Sequence, residues 1–383
     1  MKKKVLIFSG SRADYGLLKP LIYRFKKDNS IKLLIAAGAQ HFSKLFGNTH
    51  KEILKDNLFI DYACPVKIDK IRDNEVVSYL GKSLTNFTKF LKKKSPDIVI
   101  LLGDRYEAYS FCLASFFLNI PIAHVHGGEL TSGAFDDGLR HSMTKFSNYH
   151  FSCHKNYTKR LVQLGENPKN IFNYGALGVE NALNTQLIDK KELFNKFNVP
   201  LDKKKILVTF HPETKKKGNI KNEINIFLSS LKKFKDIFFI FTYNNSDSNG
   251  KYYVKKVLKN KNKNSTIISS LGSQNYLSFL KNVDCVIGNS SSGILEAPAL
   301  RTPTINIGNR QNGREFSRSI FTCKNDKKSI EQLIQRLVLK KNKINYDNLF
   351  LKKNTSLNIF KKINKILKKN NKETSKLFYD IKK

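Results

Sequence analysis

A chain of 383 residues, 40% of them hydrophobic, is too long for one ordinary core and too apolar for disorder, so two domains are expected. Lys and Arg number 69 against 31 Asp and Glu, a formal charge of +38 that points first to nucleic acid. Yet the lysines spread through every polar face and thicken mainly after about residue 339, arginine is in the minority, and no RNP, KH, zinc-finger or helix-turn-helix pattern occurs, so nucleic acid is not the expected partner.

The start, "MKKKVLIFSG", sets a basic run before only about five apolar residues, too few for a secretory signal. Short apolar runs then alternate with longer amphipathic stretches. Residues 4–10, 32–38, 97–103, 120–127 and 149–153 predict strands, most of them apolar throughout, as befits strands buried on both faces of a parallel sheet. Helical patterns cover 73–94 and 105–118. The most apolar stretch, "FCLASFFLNIPIAHV", is broken by Asn119 and Pro121 and falls short of the roughly 20 residues a membrane span needs, so no membrane partner is expected. After "NYGALGVEN" (173–181) the alternation restarts, with strands predicted at 205–212, 236–243, 265–270, 284–290 and 302–308. A basic helix follows, with Leu357, Phe360, Ile363 and Leu367 at helical spacing and fraying expected after about residue 369. Five widely spaced cysteines (Cys64, Cys112, Cys153, Cys285, Cys323) form no CxxC pair, which predicts reduced thiols in a cytoplasmic protein.

Strand–helix alternation in two halves predicts an α/β protein of two Rossmann-like domains with a cleft between them. The expected divisions are residues 1–177, 178–345, and a basic C-terminal helical segment and tail at 346–383. In open α/β sheets ligands sit beyond the carboxyl ends of the strands, and the unusual residues lie there.

"SGSRADYGLL" (9–18) follows the first strand: Gly10 permits a tight turn, the next helix offers free N–H groups, and Arg12 adds a fork suited to phosphate. A plain βα turn explains this stretch equally well, since it is no GxGxxG fingerprint. "GNSSSGILEAPALRTP" (288–303) says more. Ser290, Ser291 and Gly293 open a helix carrying Glu296, so hydroxyls and N–H groups can cradle a diphosphate while the carboxylate takes a ribose or uracil hydrogen bond. Arg310 and Arg314 follow the next strand. "LLGDRYEA" (101–108) places Asp104 and Arg105 at a buried strand's end, and "TFHPET" (209–214) does the same with His211.

The segment "HVHGGELTSGAFDDGLRH" (124–141) concentrates three of the eight histidines beside paired carboxylates. Neither it nor "HFSCH" (150–154) has HExxH, CxxC or another dense ligand spacing, so no metal is expected, whether on His124, His126, Asp136 and Asp137 or on His150, Cys153 and His154. No GxSxG elbow or Cys–His pair argues for a covalent nucleophile.

Together, "SGSRADYGLLKPLI", "LGDRYEA", "IPIAHVHGGELTSGAFDDGLRHSMTKFSNYHF", "FHPET" and "GNSSSGILEAPALRTPTINIGNRQNGRE" resemble the hydrolysing UDP-N-acetylglucosamine 2-epimerases of sialic-acid biosynthesis, in order from residue 5 to about 316. The resemblance implies the GT-B fold, a nucleotide-sugar substrate, a homo-oligomer (dimer or tetramer), and no cofactor. It also implies a reaction: UDP-GlcNAc loses its C2 proton and UDP, and the glycal takes up water with inversion at C2, giving ManNAc and UDP. Departure of the diphosphate builds positive charge at C1, acidifying C2–H enough for a carboxylate base. By motif, Arg12, His211, Ser290, Ser291, Glu296 and Arg310 match the family's nucleotide-site positions, while Asp104, Asp136 and Arg140 match positions used around the sugar and the proton transfers. His126 stands where animal and non-hydrolysing relatives carry glutamate. Asp104 and Asp136 are therefore the candidates for the C2 proton and His126 for the other proton; Asp137, His124 and His141 are candidates for scaffold.

Three other readings compete. The same chemistry could act on UDP-2,4-diacetamido-trideoxyhexose (UDP-N,N'-diacetylbacillosamine) or a GDP-linked amino sugar in legionaminic-acid synthesis. A GT-B glycosyltransferase would share the fold and the cradle. A basic nucleic-acid-binding protein would have no need of Asp104, His211 and Glu296 at strand and helix ends.

Overall fold

The computed structural model describes residues 2–44, 47–66, 75–131, 135–211, 220–243, 250–260, 262–268, 271–340, 343–369 and 376–381. The chain divides into two compact units. Met1–Glu129, Asp136–Asn181 and Phe350–Lys383 make up the first, and Leu130–Phe135 with Ala182–Leu349 the second. The C-terminal stretch thus groups with the first unit, and the division falls at 181/182 where 177/178 was expected.

Among the described residues the first unit holds seven strands: β1 (Lys3–Ser9), β2 (Ile31–Ala37), β3 (Tyr62–Ala63), β4 (Ile98–Leu102), β5 (Ile122–Val125), β6 (Tyr149–Ser152) and β7 (Ile171–Asn173). They pair in parallel in the order β3-β2-β1-β4-β5-β6-β7. Its helices are α1 (Arg12–Lys26), α2 (His50–Lys55), α3 (Val76–Lys94), α4 (Tyr106–Phe117), α5 (Asp136–Phe146), α6 (Lys155–Gln163) and α7 (Leu177–Asn184), which crosses the division. The continuous apolar runs are explained by cover on both faces. Val5, Ile7, Ile98 and Ile100 pack with Leu18 and Leu21 of α1, while Leu6, Phe8, Val99 and Leu101 pack with Phe87 of α3 and Phe111 of α4.

The second unit repeats the plan. It begins with α8 (Lys190–Lys196), then β8 (Lys204–Thr209), α9 (Ile220–Leu231), β9 (Ile237–Thr242), α10 (Gly250–Lys259) and β10 (Ser265–Ile268). There follow α11 (Gly272–Asn282), β11 (Cys285–Gly288), α12 (Ser292–Ala299), β12 (Thr304–Ile307), β13 (Ile320–Cys323) and α13 (Lys327–Ile334). Its parallel order is β10-β9-β8-β11-β12-β13. Ile206 and Val208 face α9 and α13, and Leu207 and Val286 face α11. In each sheet the chain reverses direction of winding once, at β1/β4 and at β8/β11, and the crevice beyond the carboxyl ends at such a switch point is where doubly wound sheets bind ligands.

The last helix, α14 (Thr355–Lys368), lies against α1 of the first unit, with the Phe360 and Phe25 rings 5.1 Å apart. Its buried stripe is Ile359, Ile363 and Leu367, so the expected stripe is rotated: Leu357 and Phe360 are only half-buried. The expectation of fraying after residue 369 is corrected for Lys376–Ile381. Lys376 Nζ donates to the carbonyls of Thr144, Lys145 and Ser147 at 2.8, 3.0 and 2.8 Å and pairs with Glu166, and Tyr379 N–H donates to the Gly165 carbonyl at 3.0 Å. A cation that caps helix carbonyls and meets a buried carboxylate has two reasons to stay ordered.

Candidate active site

In the first unit the unusual residues collect where β1, β4, β5 and β6 end. Ser11 caps α1, accepting from Asp14 N–H at 3.4 Å, and Arg12 opens the helix, half-buried. Arg105, at the start of α4, donates from Nε to Asp14 Oδ1 (3.2 Å) and from Nη1 to Gln40 Oε1 (3.4 Å), so it braces the β1–α1 turn against the β4–α4 turn. Asp104, its neighbour, pairs with Arg140 of α5. Arg140 is 1% exposed, sits 3.6 Å from Asp137 and donates to the Glu129 carbonyl at 2.8 Å. A guanidinium so deeply buried is tolerated because its fork meets matched charge and a carbonyl together. Asp136 is the first residue of α5, at the positive end of the helix dipole.

His126 follows β5 in the left-handed backbone region (φ 66°), its N–H donating to the Phe151 carbonyl at 2.9 Å. A side chain there is uncommon and costs on the order of 1 kcal/mol or more, which surrounding contacts must hold. Its Nδ1 lies 2.6 Å from Glu129 Oε1, and Cys153 Sγ, at the end of β6, donates to the same oxygen at 3.2 Å. These three side chains bring atoms able to ligate a metal within 4.8 Å of one another.

The other polar residues of this wall are braces. His124 Nε2 donates to the Gly103 carbonyl at 2.7 Å, and burial holds the ring down to about 4, neutral beneath the loop that presents Asp104. The set His150, Cys153, His154 does not converge. His150 meets Glu166 at 2.8 Å, Cys153 meets Glu129, and His154 caps α6 by accepting from Asn156 N–H at 3.3 Å. Glu107 accepts from Ala39 N–H at 2.9 Å and from the Tyr79 hydroxyl, and burial lifts its carboxyl to about 7.

In the second unit Asn289 organises the strand ends. Its Oδ1 accepts from His211 N–H and its Nδ2 donates to the His211 carbonyl, each at 2.7 Å, so β8 and β11 are clamped where they stop. Its own carbonyl accepts from Arg310 Nη1 (2.9 Å) and Gln311 Nε2 (2.7 Å). The turn into this clamp requires Gly288: φ is 140°, and a Cβ would lie 1.9 Å from the Thr209 carbonyl oxygen. Beyond it, Ser290 Oγ is 3.2 Å from Ser292 Oγ, and Ser291 occupies the N-cap of α12 without a side-chain capping bond. The Gly293 carbonyl accepts from Thr304 Oγ1 at 2.8 Å, seating α12 on β12, and Glu296 is buried one turn in. The expected nucleotide residues His211, Ser290, Ser291, Gly293, Glu296 and Arg310 therefore gather at the ends of β8, β11 and β12. "FHPET" is described only as far as His211, Pro212–Thr214 lying outside the described residues.

Glu129, Asn289 and Glu107 were not singled out from sequence. The signal for Glu129 was its place three residues after His126; for Asn289 it was its place next to the glycine that ends a strand.

Two parallel α/β sheets, each carrying polar side chains at the carboxyl ends beside its switch point, define a two-domain GT-B-like protein. Comparison with known proteins narrows the class. A family model described as UDP-N-acetylglucosamine 2-epimerase matches residues 23–364. The chain is 38% identical over 349 residues to the GDP/UDP-N,N'-diacetylbacillosamine 2-epimerase (hydrolyzing) of Campylobacter jejuni, covering 90% of each chain. It is 36% identical to polysialic acid biosynthesis protein P7 of Escherichia coli, over 99% of this chain and 98% of that one. The fold matches the UDP-GlcNAc 2-epimerase of Neisseria meningitidis solved with UDP-GlcNAc bound, with a TM-score of 0.79 and 19% identity over 94% of this chain and 100% of that one. The chain belongs to the UDP-N-acetylglucosamine 2-epimerase family, among its hydrolysing members.

Proposed function

We propose that this protein is a hydrolysing 2-epimerase that converts UDP-GlcNAc and water to ManNAc and UDP, in the making of a sialic-type acid. The observation that carries the reading is the buried Arg140, which pairs with Asp104 and donates to the carbonyl of Glu129, the residue that meets His126, at the strand ends of a chain belonging to this family. In this reading Asp104 and Asp136 serve the C2 proton, His126 moves the other proton, and Arg140 holds Asp104 in position. Arg12, Arg105, His211, Ser290, Ser291, Gly293, Glu296 and Arg310 take the nucleotide and its diphosphate, whose departure generates the glycal. Water then adds at C1 and a proton at C2 from the opposite face. The chain acts in the cytoplasm as a homo-oligomer; all five cysteines are free thiols, and among the described residues no helix is long and apolar enough to cross a membrane.

A second substrate has its own support: the relative at 38% identity is named for UDP- and GDP-linked diacetylbacillosamine. One experiment separates the two. UDP-GlcNAc is incubated with the protein in deuterated water without added metal and followed by NMR, beside Asp104→Asn. Release of UDP with ManNAc deuterated at C2, lost in the variant, is the expected result. Intact UDP-GlcNAc, with turnover of the diacetamido sugar instead, would transfer the reading to that substrate, and silence on both would overturn the reaction.

A further inference from the structure

We propose that Glu129 is a positioning residue for His126, the two forming a buried carboxylate–imidazole dyad that leaves Nε2 as the working end of the ring. This rests on the reading of His126 as a proton-transfer group and adds how the ring is set for it.

The geometry begins in the backbone. After His126 the chain turns back through Gly127 and Gly128; Gly128 has φ 79°, and a Cβ there would lie 2.5 Å from the Tyr157 carbonyl oxygen. That return brings Glu129 under the ring that precedes it by three residues, with Oε1 at 2.6 Å from Nδ1. Both side chains are buried, at 8% and 4% exposure. A carboxylate oxygen can only accept, so Nδ1 is the nitrogen that donates, and in the neutral ring Nε2 carries the lone pair. Cys153 Sγ–H donates to the same Oε1 at 3.2 Å, which fixes that oxygen from a second side. Nε2 is itself buried and meets no hydrogen-bond partner among the described residues. Buried polar atoms are nearly always satisfied, so one left open at a strand end is best explained by a substrate group that fills it.

The surroundings belong to the same design. Arg140 of α5 donates to the Glu129 carbonyl at 2.8 Å, Arg160 of α6 donates to the Gly128 carbonyl at 2.5 Å, and His124 of β5 is held neutral nearby. The loop is thus held by two guanidiniums through its backbone, while Glu129 spends its side chain on the imidazole. When Nε2 takes a proton, the charge that forms on the ring faces a carboxylate already in contact with it.

The same three side chains could be read as metal ligands. Two ligands on one zinc ion, each at bond lengths near 2.0–2.1 Å, lie about 3.3 Å apart. Nδ1 and Oε1 at 2.6 Å are at hydrogen-bond distance instead.

The test is made on the full chain. Ring nitrogens are observed by long-range proton–nitrogen NMR in the wild type, with His126→Gln identifying the signals of His126. Expected is the Nδ1-protonated form in the wild type, a measurement that needs no Glu129 variant to fold. In Glu129→Gln kcat should fall on the order of 100-fold with KM within about twofold, and Glu129→Asp should recover part of the loss. A wild-type ring protonated at Nε2 in place of Nδ1, a wild-type kcat in Glu129→Gln, or one zinc per purified chain would overturn the dyad. Full activity in His126→Gln would instead overturn the catalytic reading of His126, and the tautomer would still report on the pair.

Discussion

Arg140 carries the clearest residue-scale consequence, because it is buried, charged and paired with Asp104. Removing its charge leaves Asp104 without its counter-charge, a change of about 3–5 kcal/mol for breaking a buried pair. Arg140→Met should therefore lower the melting temperature and abolish turnover. Arg140→Lys, which keeps charge but loses the fork that serves Asp104 and the Glu129 carbonyl together, should fold and lose most of kcat. Wild-type turnover in Arg140→Lys would show that charge alone suffices. Glu107 offers a test by pH. Its folded carboxyl titrates near 7 under the pressure of burial, against about 4.3 for an unfolded glutamate, so the folded chain keeps a proton that the unfolded chain releases between those values. Stability on this account falls as pH rises from about 4.3 to 7, by about 4 kcal/mol in all. Glu107→Gln cannot ionise and should flatten that slope, melting no higher than wild type at pH 5 and higher at pH 8 by calorimetry. Equal slopes in both proteins would discard the account. Residues such as Asp104 and His211 were legible in the sequence because charge at the end of an apolar run is out of place. Glu129 and Asn289 were not, because their value comes from turning back onto a neighbour, and no periodicity reports a turn's return.

At the scale of elements, the long apolar runs announced their strands, and the edges did not. β3 has two residues, and β13 is half-exposed, so neither offers enough alternation or apolar length to read. The phase of α14 is not fixed by its sequence for a related reason: several apolar side chains surround that helix, and only its packing on α1 decides that Ile359 joins Ile363 and Leu367 in the buried stripe. The C-terminal tail was harder still, since nothing in "SKLFYD" indicates that Lys376 will cap α5, the helix that begins with Asp136 and carries Arg140. The Phe378 ring receives the Lys145 cation at 4.9 Å, and Glu166 joins Lys376, Lys145 and His150. Burial alone would raise Glu166, but His150 and Lys376 hold it down to about 2, whereas burial pushes Lys376 down to about 8. Lys376→Ala removes three capping bonds and one counter-charge and should cost about 3 kcal/mol at pH 7. A glutamate depressed in the folded state contributes above its unfolded value and is lost as pH falls from about 4.3 toward 2. The difference between Lys376→Ala and wild type should shrink over that range in acid denaturation. A constant difference down to pH 2 would assign the tail's role to packing by Phe378.

Each unit of the molecule has its own sheet, covered on both faces by its own helices, and each sheet presents different chemistry at its strand ends. Acids, an imidazole and a buried guanidinium belong to the first; hydroxyls, helix N–H groups and Arg310 belong to the second. Two cores of this kind are expected to unfold in two steps, because a single all-or-none transition is a property of one cooperative core. If the second unit holds the nucleotide, UDP binds its folded form and not its unfolded chain. At about 100 times its dissociation constant UDP then stabilises that unit by about 2.7 kcal/mol. Scanning calorimetry with and without UDP should show the upward shift in one transition, and hydrogen exchange should assign that transition to amides of β8, β11 and α12. The same UDP on Asn289→Ala, whose clamp on His211 is gone, should shift the transition less. A shift confined to amides of the first unit would move the nucleotide away from the α12 cradle, and with it the division of labour that the two sets of strand ends support.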